Sequence, residues 1–193
     1  MAKVLVPLAQ GCEELEAVTI IDLLRRAGIE VVAAGLDGQA VKASRGVVLV
    51  PDCSFDEALR QDYDMVVLPG GMPGMTHLKS DPRILMLLRA MAGEGKYTAA
   101  ICAAPAVLAE AGLLEGKSAT CFPGFLDGRA GVKLDGADVV IDGKVMTSRG
   151  PGTAMDFALQ LIETLAGKAK RDEVEAGLQR PAGHISAALV SGR

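Results

Sequence analysis

The chain has 193 residues, enough for a single domain over 1–193 with a substantial core. Half of the residues are hydrophobic, yet only 3% are aromatic and none is Trp, which suits parallel strands covered by helices better than an aromatic-rich β-sandwich. A formal net charge of −4, with no cluster of Lys and Arg, argues against a general polyanion binder.

The first apolar run, KVLVPLA (3–9), predicts a strand. It is too short for the hydrophobic region of a signal peptide, and no run along the chain has a membrane-spanning length, so a cytoplasmic protein without a membrane partner is expected. ELEAVTIIDLLRRA (14–27) has helical spacing and closes at Gly28, and EVVAAGL (30–36) is a second strand. VKASRGVVLVP (41–51) reads as extended, and DEALRQ (56–61) as a short helix. MVVLPGG (65–71) is the clearest strand signal, a β-branched run ending in Pro-Gly-Gly. A helix is expected over 82–93, a strand over TAAIC (98–102) and a helix from Pro105 to about Gly112. SATCF (118–122) reads as a strand, ADVVIDGKVMTS (137–148) as a hairpin turning at Asp142-Gly143, and 153–167 as a last helix. From about residue 181 the tail is expected to be weakly structured.

This alternation predicts an open, mostly parallel sheet with helices on both faces. In such sheets ligands bind beyond the carboxyl ends of the strands. Three loops leave those ends: AQGCEELE, PGGMPGM and CAAP, and they converge if their strands are neighbours.

Cys102 stands where a strand must turn sharply into a helix, with Ala99, Ala100, Ala103 and Ala104 leaving room for the turn. A thiol at such an elbow faces the positive end of the next helix, which favours the reactive thiolate. The alternative is a buried structural cysteine, since free Cys is among the most buried residue types. The four cysteines are widely spaced without a CxxC pair, so free thiols are expected rather than disulfides or a zinc site, and His77 and His184 are the only histidines. Neither lies close to Cys102 in sequence, so a Cys-His-Asp protease or glutamine amidotransferase is weakly supported.

A carboxylate is the remaining partner. Glu13, Glu14 and Glu16 crowd the start of the first helix, where capping would also explain them, and a helical wheel does not choose among them. Gly70 and Gly71 offer backbone N–H groups to an oxyanion, though a Gly pair after a strand is also an ordinary turn. SRGPGTAMDF (148–157) lacks Walker and dinucleotide spacing, which leaves a small anion at most, and no nucleic-acid motif is present.

Taken together, GCEELEAV, RRAGIEV, SRGV, YDMVVLPGG, AAICAAPAVL and TSRGPGTAMDFAL resemble the ThiJ/PfpI superfamily, nearest its YajL-like branch of protein deglycases, over the chain to about residue 175. The resemblance implies a flavodoxin-like three-layer sandwich forming a homodimer, with no cofactor and no metal. It makes Cys102 the reactive cysteine and Glu16 its protonated partner, and makes Gly71 and Ala103 the backbone donors facing the pocket. It places Arg45 and Arg149 near the site as pocket or anion-binding residues, with Arg45 acting across the dimer, and Gly70 is expected beside them from its loop. Ala103 stands where peptidase-like relatives have histidine, which argues against a peptidase. Phe122 stands where one branch has a histidine available as a proton shuttle.

The implied function is a glyoxalase or deglycase acting on methylglyoxal, glyoxal or their early adducts on proteins and nucleotides, releasing lactate or glycolate. The alternative is an oxidative-stress sensor and redox-dependent holding chaperone, with unfolded client proteins as partners and oxidation of Cys102 as the trigger.

Overall fold

The structure, a computed structural model, describes residues 1–180 and the backbone of 187–189. Strand β1 (Lys3–Leu8), helix α1 (Glu14–Arg26) and β2 (Glu30–Gly35) open the chain. β3 (Val41–Lys42) and β4 (Val48–Leu49) pair antiparallel as a small hairpin. β5 (Cys53–Ser54) leads into α2 (Phe55–Ala58), which begins with a reciprocal cap between Ser54 and Glu57. β6 (Met65–Leu68), α3 (Gly74–Ser80), α4 (Pro82–Gly93), β7 (Tyr97–Ile101) and α5 (Pro105–Glu110) follow. β8 (Ser118–Ala119) and β9 (Lys133–Leu134) form a short side ladder. The hairpin β10 (Val139–Asp142) and β11 (Val145–Ser148) precedes α6 (Ala154–Ala166), α7 (Lys168–Gly177) and β12 (Ala187–Leu189).

The main sheet has eight strands in the order β12-β10-β11-β7-β6-β1-β2-β5. All its pairs are parallel except β10 with β11, giving the expected flavodoxin-like α/β architecture. The pleat sends alternate side chains to opposite faces. Val4, Val6, Leu8, Met65, Val67, Ala99 and Ile101 therefore pack with α1 and α6 on one side. Leu5, Val66, Leu68 and Ala100 pack under α2, α3, α4 and α5 on the other. Each fully buried Leu or Ile in these layers contributes roughly 1.5–3 kcal/mol relative to exposure. Among the described residues no helix is long and apolar enough to cross a membrane.

Several expectations need correction. Residues 41–51 are not one extended run, because the Glu14 carboxylate accepts the N–H groups of Arg45 and Val47 and folds the segment into a hairpin. The strand expected over 118–122 stops at Ala119, and Phe122 instead donates its N–H to the Cys102 carbonyl at 2.8 Å. Cys102 itself lies past the end of β7. α3 and α7 are additional helices. α7 carries little apolar signal and is laced by the pairs Lys168–Asp172, Lys170–Glu173 and Arg171–Glu175. The looseness expected from residue 181 falls outside the described residues except at Ala187–Leu189, which add a parallel strand beside β10; His184 also lies outside them.

Candidate active site

β1 is flanked by β2 on one side and β6 on the other, so the winding direction reverses there and a crevice opens at the carboxyl ends of the strands. The loops after β1, β6 and β7 meet in it. Glu13 donates its N–H to the Gly70 carbonyl at 2.9 Å, and Gly74 donates to Gly11 at 3.2 Å.

Cys102 turns out of β7 with φ +64°, a left-handed conformation uncommon for any residue but glycine. Bonds on both sides hold it there: its N–H donates to Ser148 at 3.0 Å, and its carbonyl accepts from Phe122. Such strain at a site-lining residue is a feature of nucleophile elbows. The thiol sits at the rim of the sheet and touches both core layers.

Glu16 is fully buried. Its Oε2 accepts the Gly70 N–H at 2.8 Å. Its Oε1 is buried without a hydrogen-bond partner of ordinary geometry among the described residues, and the carboxyl interacts directly with the Cys102 side chain. Gly70 permits this approach, because a Cβ there would lie 2.6 Å from Cys102 Cβ and 2.9 Å from Glu16 Oε2. Gly71, at φ +90°, crosses so near the Glu13 backbone that a Cβ would meet its nitrogen at 2.3 Å.

Burial is the first cause of the electrostatics. It raises Glu16 to about 7 against the pull of the Gly70 N–H. It also pushes Cys102 up to about 12, with the Glu16 charge adding to it and the N–H groups of Gly71 and Ala103 opposing it. Two acids so close lose their protons one after the other, so above about 7 the pair carries one negative charge and shares one proton. The helix dipole invoked for the thiolate is a small contributor, because α5 spans only six residues. The two backbone N–H groups supply the downward push instead.

The other glutamates do different work. The Ser44 hydroxyl lies 2.8 Å from Glu13 Oε2 and 3.1 Å from Glu14 Oε2, and Glu14 also fixes the Arg45 N–H at 2.9 Å. This network holds the β3–β4 turn over the crevice.

A cavity of about 250 Å³ opens above Cys102, with Glu13, Arg45, Gly71, Ala103 and Phe122 in its wall. Arg45 thus lines the cavity of its own chain. Gly70 serves Glu16 with its N–H and is not free as an oxyanion donor. Arg149 is not brought to the cavity: it pairs with Asp138 at 3.8 Å and lines a neighbouring hollow on the far side of Phe122. His77 bonds the Gln10 carbonyl at 2.9 Å and is not part of the cavity wall. Among the described residues no group of three or more His, Cys, Asp or Glu side chains is arranged to hold a metal ion. Sequence reading missed Met72, Phe125 and Pro151 as lining residues; the scarcity of aromatic residues was the available signal for Phe125.

Residues 2–164 match the DJ-1/PfpI family. The chain is 47% identical over 177 residues to the Drosophila melanogaster protein dj-1beta, covering 90% of this chain and 95% of that one. The crystal structure of Drosophila DJ-1beta aligns with a TM-score of 0.89 at 45% identity, over 93% of this chain and 98% of that one. A Caenorhabditis elegans relative named glutathione-independent glyoxalase DJR-1.2 is 36% identical over 90% of this chain and 92% of its own.

Proposed function

This chain belongs to the DJ-1/PfpI family, and from that premise we propose that it is a cofactor-free glyoxalase or deglycase acting on 2-oxoaldehydes and their early adducts. The observation that carries the reading is the buried Glu16 carboxyl against the Cys102 thiol, beneath a cavity that admits a small molecule. The glyoxalase named among the relatives supports the same chemistry.

Burial leaves the charge of the one-proton pair mainly on Glu16, and the reactive arrangement is the one in which the shared proton has passed to Glu16 and Cys102 is the thiolate. Sγ adds to the aldehyde carbon, and the carbonyl π pair moves to oxygen, which receives the Glu16 proton; the N–H groups of Gly71 and Ala103 stabilise the developing anion. Glu16, now a carboxylate, takes the hydrogen of the former aldehyde carbon as a proton and returns it at the neighbouring carbon, while the hydroxyl proton passes from the first oxygen to the former ketone oxygen. The hemithioacetal thereby becomes a thioester with no external oxidant or reductant. Water then cleaves the C–S bond, releasing lactate from methylglyoxal or glycolate from glyoxal and restoring the thiol. On an early adduct the same thiolate displaces the amine or thiol, which leaves with the Glu16 proton, and the same hemithioacetal forms.

The protein also acts as a homodimer in this reading. Leu15 and Val18 of α1 and Val47, Val48 and Val50 of the β3–β4 hairpin are exposed, and Val18 and Val50 line one hollow, so the two elements form one apolar face beside Arg45. The setting is a reducing cytoplasm, where the four free cysteines stay as thiols.

Lactate formation from methylglyoxal without added thiol, compared with Cys102→Ser, tests the activity. Lactate from wild type and none from the variant supports it; no lactate above buffer from wild type overturns it.

A further inference from the structure

The chain has four phenylalanines. Phe55 and Phe157 are fully buried core residues, whereas Phe122 is 45% exposed beside the nucleophile. Phe122 is nevertheless held. Its N–H donates to the Cys102 carbonyl at 2.8 Å, so its backbone is tied to that of the reacting residue. Its ring meets Phe125 edge-to-face, with centroids 6.2 Å apart and planes at 71°. Behind it Gly150 makes room, since a Cβ there would lie 3.3 Å from a ring carbon. The result is a held flat wall that stands between the cavity and the neighbouring hollow.

The rest of the cavity agrees with this. Met72 and Pro151 join the two rings, so much of the lining is apolar. Its volume of about 250 Å³ approaches the lower end of the ~300–1,000 Å³ typical of small-molecule sites. A compound as small as methylglyoxal leaves most of that space and the aromatic wall uncovered.

We propose that the site prefers 2-oxoaldehydes whose ketone carbon bears a flat, ring-sized apolar group, the arylglyoxals, and that Phe122 with Phe125 recognises the ring. This rests on the dicarbonyl reading above and names its substrate class. The aldehyde carbon meets Cys102 Sγ while the ring lies against Phe122 in an offset or edge-on arrangement. The steps are unchanged: water is added overall, the aldehyde carbon is oxidised as the ketone carbon is reduced, and an aryl 2-hydroxy acid leaves.

Phenylglyoxal is the probe, with mandelate measured as product at early times, before arginine modification, and methylglyoxal with lactate as the reference. In wild type, kcat/KM for phenylglyoxal exceeds that for methylglyoxal by roughly tenfold. Phe122→Ala brings the ratio down toward one, chiefly through a higher KM for the aryl substrate. Phe122→Leu, which keeps apolar contact with Phe125, falls between the two and carries the test if the Ala variant does not fold. A wild-type ratio at or below one overturns the proposal, as does a Phe122 variant that lowers both substrates equally. Lactate without mandelate overturns this inference alone, whereas neither acid from wild type overturns the dicarbonyl reading itself.

Discussion

Glu16 accepts the Gly70 N–H at 2.8 Å, and that single bond joins the helix after β1 to the loop after β6 at the place where Cys102 stands. The site is therefore built by three strand ends at once, and its geometry depends on residues that carry no chemistry of their own.

Gly70 is one of them. Gly70→Ala would press a methyl group against Cys102 Cβ and the Ile101 carbonyl, at 2.6 and 3.0 Å, where backbone must move. We expect a loss of about 1–3 kcal/mol in stability together with most of the lactate-forming activity. Thermal unfolding and the lactate assay check the two effects separately.

The pH dependence of stability has a defined sign. The folded pKa of Glu16, about 7, lies above its ordinary value of 4.5, so its contribution is fully present below 4.5 and is lost as pH rises through 7. Across that window wild type loses up to roughly 3 kcal/mol relative to Glu16→Gln, which cannot ionise. Denaturant unfolding of both proteins at several pH values measures the difference; parallel curves would remove the proposed titration.

Burial raises both thiols to about 12, but Cys12 is fully buried while Cys102 opens onto the cavity. Iodoacetamide labelling of the folded protein should reach Cys102 well before Cys12, as read by peptide mass spectrometry. Labelling of Cys12 first would contradict the assignment of the open cavity to Cys102.

The apolar face of α1 and the β3–β4 hairpin gives an expectation for assembly. Val50, 82% exposed, and Val18 should both be covered in the dimer. Wild type should elute as a dimer at micromolar concentration, and Val18→Glu with Val50→Glu as a monomer. A wild-type monomer would contradict the dimer reading.

Much of this architecture was legible in the sequence because the β-branched runs at 3–9 and 65–68 and the small residues around Cys102 leave few other options. The convergence of the three loops followed from the order of strands. What was not legible came from contacts between distant residues. The three glutamates look alike on a helical wheel and only the family resemblance singled out Glu16; the physical reason is that Glu16 is fully buried and bonded to Gly70, while Glu14 faces the β3–β4 turn. Phe122 was read as the end of a strand and, by resemblance, as standing at a proton-shuttle position; the strand instead stops at Ala119 and the Phe122 ring forms a wall of the cavity. α7 went unseen because ion pairs, not an apolar stripe, hold its surface.

The most direct test of the central claim, that Glu16 and Cys102 share one proton and react as a pair, is the pH profile of kcat/KM for methylglyoxal in wild type and Glu16→Gln. Wild type should gain activity as pH rises through about 7, where the pair loses its first proton. Glu16→Gln should lose that limb and fall by about 10²–10⁴-fold, since glutamine neither gives nor takes the proton. A variant with the wild-type profile and rate would contradict the pairing.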